Sequence, residues 1–514
     1  MKKVSGEKPS FLSEGICSLV GAGPGDPGLI TLRGLERLER ADVVVYDHLI
    51  NPQLLGHASP SSKKIYAGKT AGRHALKQEE TNALLLKHTL EGKRVVRLKG
   101  GDPFLFGRGG EEATALAAAG LRFEIVPGVT SAIGGLAYAG IPVTHRANSA
   151  ALTIFTGHEG ADKGGSCINY EAIAAAPGTK VMLMGLESLA SITKKLGAAG
   201  MLEETPVALI SWASTSRQKT LVGTLGTIAS LAVEQDIKAP ALTVFGDVVT
   251  LRDSLNWFET LPLFGRRIAV TRSQRQAGGL LSLLHELGAD AYEIPTIRIE
   301  PPTEKRAFIE ALAGVRTYDW IVFTSPNGVE YFFSAFFASH EDARDLGGAR
   351  IAAIGNGTAN RIREYRFGVD LIPKEFVAES LLDSFREMNV ENLKILLPRA
   401  AGAREILAIE LEKLGAIVDD VPVYQTVSEK EDVSGGIKRF LAEEADMVTF
   451  TSASTAASFK ALGLSLPKGL KTASIGPVTS REMRRLGLPV DLEAQQHDIE
   501  GLVEGIRLFF ESKK

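Results

Sequence analysis

Short apolar runs recur along this chain, separated by segments of helical period and by loops dense in glycine and proline. Residues 16–20 read as a strand, followed by a Gly/Pro loop, a helix over 29–40 and a second strand over 42–46. The unbroken Val-Val-Val in that second strand predicts burial on both faces, hence a parallel sheet with helices on either side. A helix over 78–90 leads to a strand at 94–98, and another strand at 123–126 precedes a small-residue helix reaching Ala139. From 150 to 262 the apolar runs are shorter, at 151–156, 180–184, 206–210, 220–223 and 242–249. Their alternation suits a mixed or antiparallel sheet. A second α/β domain packed on the first is expected, with a small-molecule cleft between the two.

Residues 261–265 read as a short linker, after which a new α/β pattern starts. Strand-like runs fall at 267–271, 290–297, 320–324, 350–354, 370–372, 394–397, 417–424, 447–451, 471–475 and 490–492, nearly all separated by helical segments. An internal echo relates DWIVFTSPNGV at 319–329 to DMVTFTSASTA at 446–456, and ARIAAIG at 349–355 to LKTASIG at 470–476. Two similar α/β lobes with parallel sheets follow. The first is discontinuous, about 265–300 plus 428–514, and the second is about 303–426. The N-terminal half divides into a tail over 1–15 and subdomains of about 16–147 and 148–262.

At 514 residues the chain exceeds one core. It is 44% hydrophobic and 23% charged with a formal net charge of −3, which gives no reason to expect a nucleic-acid or anionic-membrane surface. Cys17 and Cys167 cannot build a disulfide framework or a cysteine metal site, which favours a reducing compartment. The opening MKKVSGEKPSFLSEG has no apolar core of the kind a secretory signal needs, so the cytoplasm is the default.

The chemistry concentrates at three strand ends: the loop VGAGPGDPG at 20–28, KGGDPFLFGRGGEE at 99–112 and VPGVTS at 126–131. Residues 23–28 fit G-x-G-x-x-G by letter, but Pro24 and Pro27 each remove an N–H that a pyrophosphate cradle would use, which disfavours an NAD-dependent dehydrogenase. Gly68-Lys69-Thr70 lacks the glycine of a phosphate loop, since position 63 is Lys. Three Gly-rich strand ends imply one cleft assembled from several βα junctions. Asp47 directly follows a buried strand, at the carboxyl end where open α/β sheets take ligands. A turn Asp that caps the next segment is the competing reading.

GAGPGDPGLIT, VVVYDHLI, KGGDPFLFGRGGEE, VPGVTSAIGGLAYAGIPVTHR, LMGLESL and APALTVFGDVVTLRDSLNWFE together resemble uroporphyrinogen-III C-methyltransferase over about 16–258. The resemblance implies the tetrapyrrole methylase fold, with S-adenosylmethionine folded between two α/β domains against Pro24, Gly100, Gly101, Asp102, Leu105, Thr130, Ser131, Met184 and Ala213. Leu105 and Ala213 depart conservatively from the commonest family residues. Asp47 matches the position assigned as proton acceptor and Lys69 the proton donor. The implied substrate is an octacarboxylate methylated at C-2 and C-7 to give precorrin-2, so Arg33, Arg108 and Arg146 beside Lys69 are candidates to bind it, each equally readable as a solvated surface charge. The family also implies a homodimer paired through this half, with no metal, nucleic acid or membrane. Its fused dehydrogenase and ferrochelatase module is expected to be absent here.

VTRS, FTSPNGV, IAAIG, VPVYQT, FTSAST and SIGPVTS resemble uroporphyrinogen-III synthase over about 265–510. The implied reaction closes hydroxymethylbilane to uroporphyrinogen III with inversion of ring D and loss of water. Thr271, Arg272, Ser273, Thr324, Ser325, Asn327, Gly355, Thr451, Ser452, Gly476 and Thr479 follow strand ends and are candidates to hold the substrate carboxylates through side chains and helix N-termini. For each Ser or Thr a plain N-cap is the competing account. Tyr424 matches the family tyrosine proposed to assist departure of the hydroxyl. A bifunctional enzyme is the leading expectation, and a C-terminal half that only binds tetrapyrrole is the alternative.

Overall fold

A computed structural model describes residues 15–59, 61–68, 76–158, 168–271, 274–294, 296–374, 378–403, 405–428, 435–443 and 445–512. The predicted site residues Lys69, Arg272 and Ser273 lie outside these, as does Cys167. The described residues form an α/β protein built on four five-stranded sheets.

The first sheet runs Lys63–Tyr66, Val43–Tyr46, Arg94–Lys99, Ile16–Gly21, Arg122–Val126 across its width, all parallel. Alternate residues of its central strands feed cores on opposite faces. Val20, Val44, Val96 and Leu98 pack one way, and Cys17, Leu19, Val43, Val45 and Val95 the other. That two-sided burial is why these strands are apolar throughout instead of alternating. The second sheet is mixed: Leu152–Thr156 and Thr179–Leu183 are parallel, while Ala241–Phe245, Pro206–Ser211 and Lys219–Thr224 continue antiparallel.

The helix Ser131–Tyr138 joins these two sheets. Ala132 and Leu136 share a core with Val181, Ile210, Leu242 and Val244 of the second sheet. The packing explains the helix's small residues: a Cβ on Gly135 would sit 2.8 Å from Leu242 Cδ2 and 2.9 Å from Ala213 Cβ.

The third sheet runs Asp290–Glu293, Arg267–Thr271, Met447–Phe450, Lys471–Ser474, Leu492–Glu493, all parallel. The fourth runs Ile297–Glu300, Ile417–Ser428, Lys394–Ala400, Trp320–Phe323, Arg350–Ala353, parallel except for its first pair. The expected strand 290–297 is thus two strands in two sheets. Ile297–Glu300 pairs antiparallel with the last four residues of the long strand Ile417–Ser428. The expected strand 370–372 is reduced to one bridge between Leu371 and Ala352, because Pro373 follows and cannot donate to a ladder.

The linker is bolted down. Leu263 is fully buried in the core of the third sheet's lobe, its N–H donates to the Leu287 carbonyl at 2.9 Å, and the Phe264 ring meets Phe258 edge-on at 5.3 Å. Among the described residues no helix is long and apolar enough to cross a membrane.

Candidate active site

The three glycine-rich strand ends of the first sheet touch one another through backbone. Gly23 and Gly101 form an antiparallel bridge, with Gly101 N–H donating to the Gly23 carbonyl at 2.7 Å. A Cβ on Gly128 would lie 2.3 Å from the Gly101 carbonyl oxygen and 2.6 Å from Gly21 Cα. No side-chain motion relieves backbone contacts of that kind. Gly128→Ala is therefore expected to cost about 1–3 kcal/mol of stability, measured by urea unfolding, and to weaken any ligand held by these loops.

Asp102 staples the same junction. One carboxylate oxygen accepts from the Gly128 N–H at 3.0 Å, and the other from Phe104 N–H at 2.8 Å and Leu105 N–H at 3.2 Å. Its charge is spent on shaping loops. In front of Gly101, by contrast, the space is open: an added Cβ would meet only Thr130 Cα, at 3.9 Å, and Gly101 holds φ of +67°. Thr130 caps the helix Ser131–Tyr138, its hydroxyl accepting from Ala132 N–H.

The second sheet supplies the opposite wall. Met184, Trp212 and Ser214 all hold positive φ, of 55°, 49° and 59°, a cost of about 1 kcal/mol or more each for residues with a Cβ. Such strain clusters at ligand sites, and here it turns the ends of two strands into the cleft. Asp26 bridges the walls, with its N–H donating to Ser214 Oγ and its carboxylate accepting from Gly28 N–H and from the Tyr138 hydroxyl at 2.6 Å. Burial, then that hydrogen bond, push the Tyr138 phenol far up, so it stays protonated as a donor. All nine residues expected to hold the cofactor line one cavity, and Asp47 and Arg108 line it as well. Arg33 sits exposed on the helix Leu32–Glu39 and Arg146 exposed in the turn closed by His145 and Ser149; neither reaches the cavity wall. Arg108 is engaged by Glu111 at 2.6 Å.

Beneath Asp47 lies a charge network that sequence reasoning missed. Asp47 accepts from Leu49 N–H through one oxygen, while the other faces Arg97 Nη2 at 3.4 Å. Arg97 and Lys99 are both buried and converge on Glu112, which is fully buried. Glu112 Oε1 accepts from Arg97 Nε at 3.1 Å, Lys99 Nζ at 3.0 Å and Gln78 Nε2 at 3.3 Å, and Oε2 has no partner among the described residues. Burial lowers the pKa of Lys99, with Arg97 adding to the effect and Glu112 opposing it. The signal was present in the sequence: RVVRLK places two cations inside a buried strand, and buried cations require carboxylate partners. Cys17, beside this network, has its thiol pushed up to about 12 by burial first and Glu112 second, so it is no nucleophile at neutral pH.

In the second half the candidates divide by role. Ser325, Gly355, Ser452 and Gly476 are N-caps of helices that follow parallel strands. Ser325 Oγ accepts from Gly328 N–H at 3.1 Å, and Ser452 Oγ from Thr455 N–H at 3.2 Å, so the capping account applies to both hydroxyls. Thr271 is fully buried and donates to the Thr449 carbonyl, and Thr479 is buried. Thr324 and Thr451 directly follow strands at partly exposed positions, and Asn327 lines the large cavity. Tyr424 is buried, stacks on Tyr331 at 5.8 Å and has its hydroxyl 3.0 Å from Ser325 Oγ. Ser325, Asn327, Tyr331 and Tyr424 therefore gather at one end of the helix Pro326–Ser339.

Comparison with known proteins bears on both halves. Residues 17–229 match the tetrapyrrole (corrin/porphyrin) methylases, and residues 279–504 match uroporphyrinogen-III synthase HemD. The porphyrin biosynthesis protein HemD of Ruminiclostridium josui is 39% identical over 495 residues, spanning 96% of this chain and 98% of that protein. The uroporphyrinogen-III C-methyltransferase of Bacillus subtilis (strain 168) is 41% identical over 364 residues, spanning 70% of this chain and 74% of that protein. A solved uroporphyrin III C-methyl transferase from Thermus thermophilus shares 38% identity, covers 46% of this chain and 94% of its own, and has a TM-score of 0.40. The chain belongs to the family in which a uroporphyrinogen-III C-methyltransferase of the tetrapyrrole methylase type is fused to a uroporphyrinogen-III synthase.

Proposed function

We propose that the chain carries out two consecutive reactions: closure of hydroxymethylbilane to uroporphyrinogen III with inversion of ring D, and methylation of that product at C-2 and C-7 to precorrin-2. The observation that carries the methylation reading is the partly exposed Asp47 carboxylate on the floor of a cleft whose facing wall is bare glycine backbone. S-adenosylmethionine fits that wall. The open face of Gly101, the capped N-terminus at Thr130–Ser131 and the turned-in ends at Met184 and Ala213 offer backbone donors and acceptors without side-chain bulk. When bound, it supplies an electrophilic methyl group.

The chain's own residues then have three tasks. The glycine loops and the Asp26–Tyr138–Ser214 brace hold the two walls in register, which fixes the approach of donor and acceptor carbon. Asp47 accepts the proton that the pyrrole gives up as its carbon gains a bond to the methyl group. Arg97, held by Glu112, lies 3.4 Å from the second carboxylate oxygen of Asp47 and so fixes the direction in which that carboxylate points. No metal is needed for this displacement.

In the second half, helix N-termini at Ser325, Gly355, Ser452 and Gly476 offer anion-binding ends to a substrate rich in carboxylates. Tyr424, with its hydroxyl on Ser325, is placed to hydrogen-bond the departing hydroxyl, and the rest of the task is to hold the linear tetrapyrrole for closure. Supplying hydroxymethylbilane without a methyl donor separates the activities. The type III isomer is expected. The spontaneously closed type I isomer alone would overturn the synthase reading and leave a half that only binds. Tyr424→Phe is expected to lower the closure rate severalfold while the isomer formed remains type III, as chromatography of the oxidised product reports.

A further inference from the structure

The cavity that contains the methyl-transfer floor does not stop at the first half. It is an open-sided space of about 2810 Å³, and its wall continues onto the second half through Tyr292, Arg298, Asn327, Glu330 and Tyr331. A small-molecule pocket is about 300–1,000 Å³, so this space is several times what one cofactor requires. Asn327 and Tyr331 belong to the helix Pro326–Ser339, whose N-cap Ser325 holds the Tyr424 hydroxyl, and Tyr331 stacks on Tyr424. The same cavity therefore borders the neighbours of Tyr424 at one end and reaches Asp47 and Gly101 at the other.

The two halves are held together around this space. Gln53 Nε2 donates to the Ala291 carbonyl at 2.8 Å and lies 3.4 Å from His285 Nε2. Arg217 reaches Glu443 at 3.7 Å, and Leu263 anchors the linker inside the third sheet's lobe.

We propose that this cavity is an open-sided transfer chamber, along which the polycarboxylate macrocycle released beside Tyr424 reaches Asp47 before it mixes with the bulk pool. The inference rests on the two activities proposed above. Lys64 on the chamber wall suits a carboxylate of such a guest, and its methylene stem suits the apolar rings, while Arg298 on the same wall is paired with Glu300 at 2.6 Å.

Isotope dilution tests this on the whole chain. Isotopically labelled hydroxymethylbilane and S-adenosylmethionine are supplied together with a large excess of unlabelled uroporphyrinogen III, and the label in the dimethylated product is measured by mass spectrometry. The chamber predicts a product enriched severalfold over the mixed pool from the first turnovers. A product carrying only the pool's label fraction would overturn it. Gln53→Ala combined with Arg217→Ala loosens the seam between the halves; the enrichment is expected to fall towards the pool value while each half still turns over its own added substrate. Enrichment unchanged in that double variant would overturn a chamber held together by this seam. Absence of any dimethylated product would instead overturn the proposed reactions, and the chamber with them.

Discussion

Asp47→Asn is expected to lower the rate of methyl transfer by about 10²–10⁴-fold, the span that a positioned general base supplies, and to leave S-adenosylmethionine affinity within a fewfold of the parent. The division follows from where the side chain sits. Asp47 directly follows the strand Val43–Tyr46 and lines the cleft, whereas the wall proposed to hold the cofactor comprises Gly100, Gly101, Thr130, Ser131, Met184 and Ala213. Asparagine keeps the acceptor that Leu49 N–H uses and keeps the volume, but it cannot take a proton. The loss should appear in kcat far more than in KM, because the group acts on the proton released during reaction and not on the ground-state complex. Single-turnover kinetics with labelled methyl donor, together with calorimetric binding of S-adenosylhomocysteine, report the two quantities separately. An unchanged single-turnover rate would remove Asp47 from the reaction.

Glu112→Gln is the costliest single change expected for the fold. Its carboxylate lies between two buried cations, and breaking a buried pair costs about 3–5 kcal/mol because the remaining charge is left uncompensated. Of the two cations, Lys99 is the one whose proton responds. Burial already holds the Lys99 pKa below its unfolded value, and loss of Glu112 removes the charge that opposed this shift. Between the depressed folded pKa and the unfolded value of about 10.4 the unfolded chain binds more protons, so stability rises with pH in that window. The deficit of the variant is therefore largest near neutrality and shrinks as pH climbs towards 10. Urea unfolding at several pH values measures it; a deficit independent of pH would show that Lys99 does not carry the response.

The sheets were legible because apolar runs, glycine turns and the echo between 319–329 and 446–456 all state the same architecture at different scales. Val43–Val45 announced a doubly buried strand, and cores on both faces receive them. What the sequence hid is what depends on partners far along the chain. Residues 290–297 look like one strand locally, but Asp290–Glu293 finds Arg267–Thr271 while Ile297–Glu300 finds the tail of Ile417–Ser428. Asp102 was grouped with the cofactor residues by resemblance, yet its oxygens are committed to three backbone N–H groups, a role visible only once Gly128 is seen 26 positions away. Glu112 stands in the sequence only as the last residue of the loop at 99–112, and only the register of Arg94–Lys99 shows that it pairs with Arg97 and Lys99 beneath Asp47. Ser325 and Ser452, open to either reading in the sequence, have their oxygens engaged as helix caps.

The central claim is that one chain both makes the macrocycle and methylates it. The direct measurement supplies hydroxymethylbilane and methyl-labelled S-adenosylmethionine, with no uroporphyrinogen added, to the whole chain and identifies the product by mass spectrometry and NMR. A type III macrocycle carrying two labelled methyl groups, at C-2 and C-7, is the predicted result. Unmethylated type I macrocycle as the sole product would contradict it.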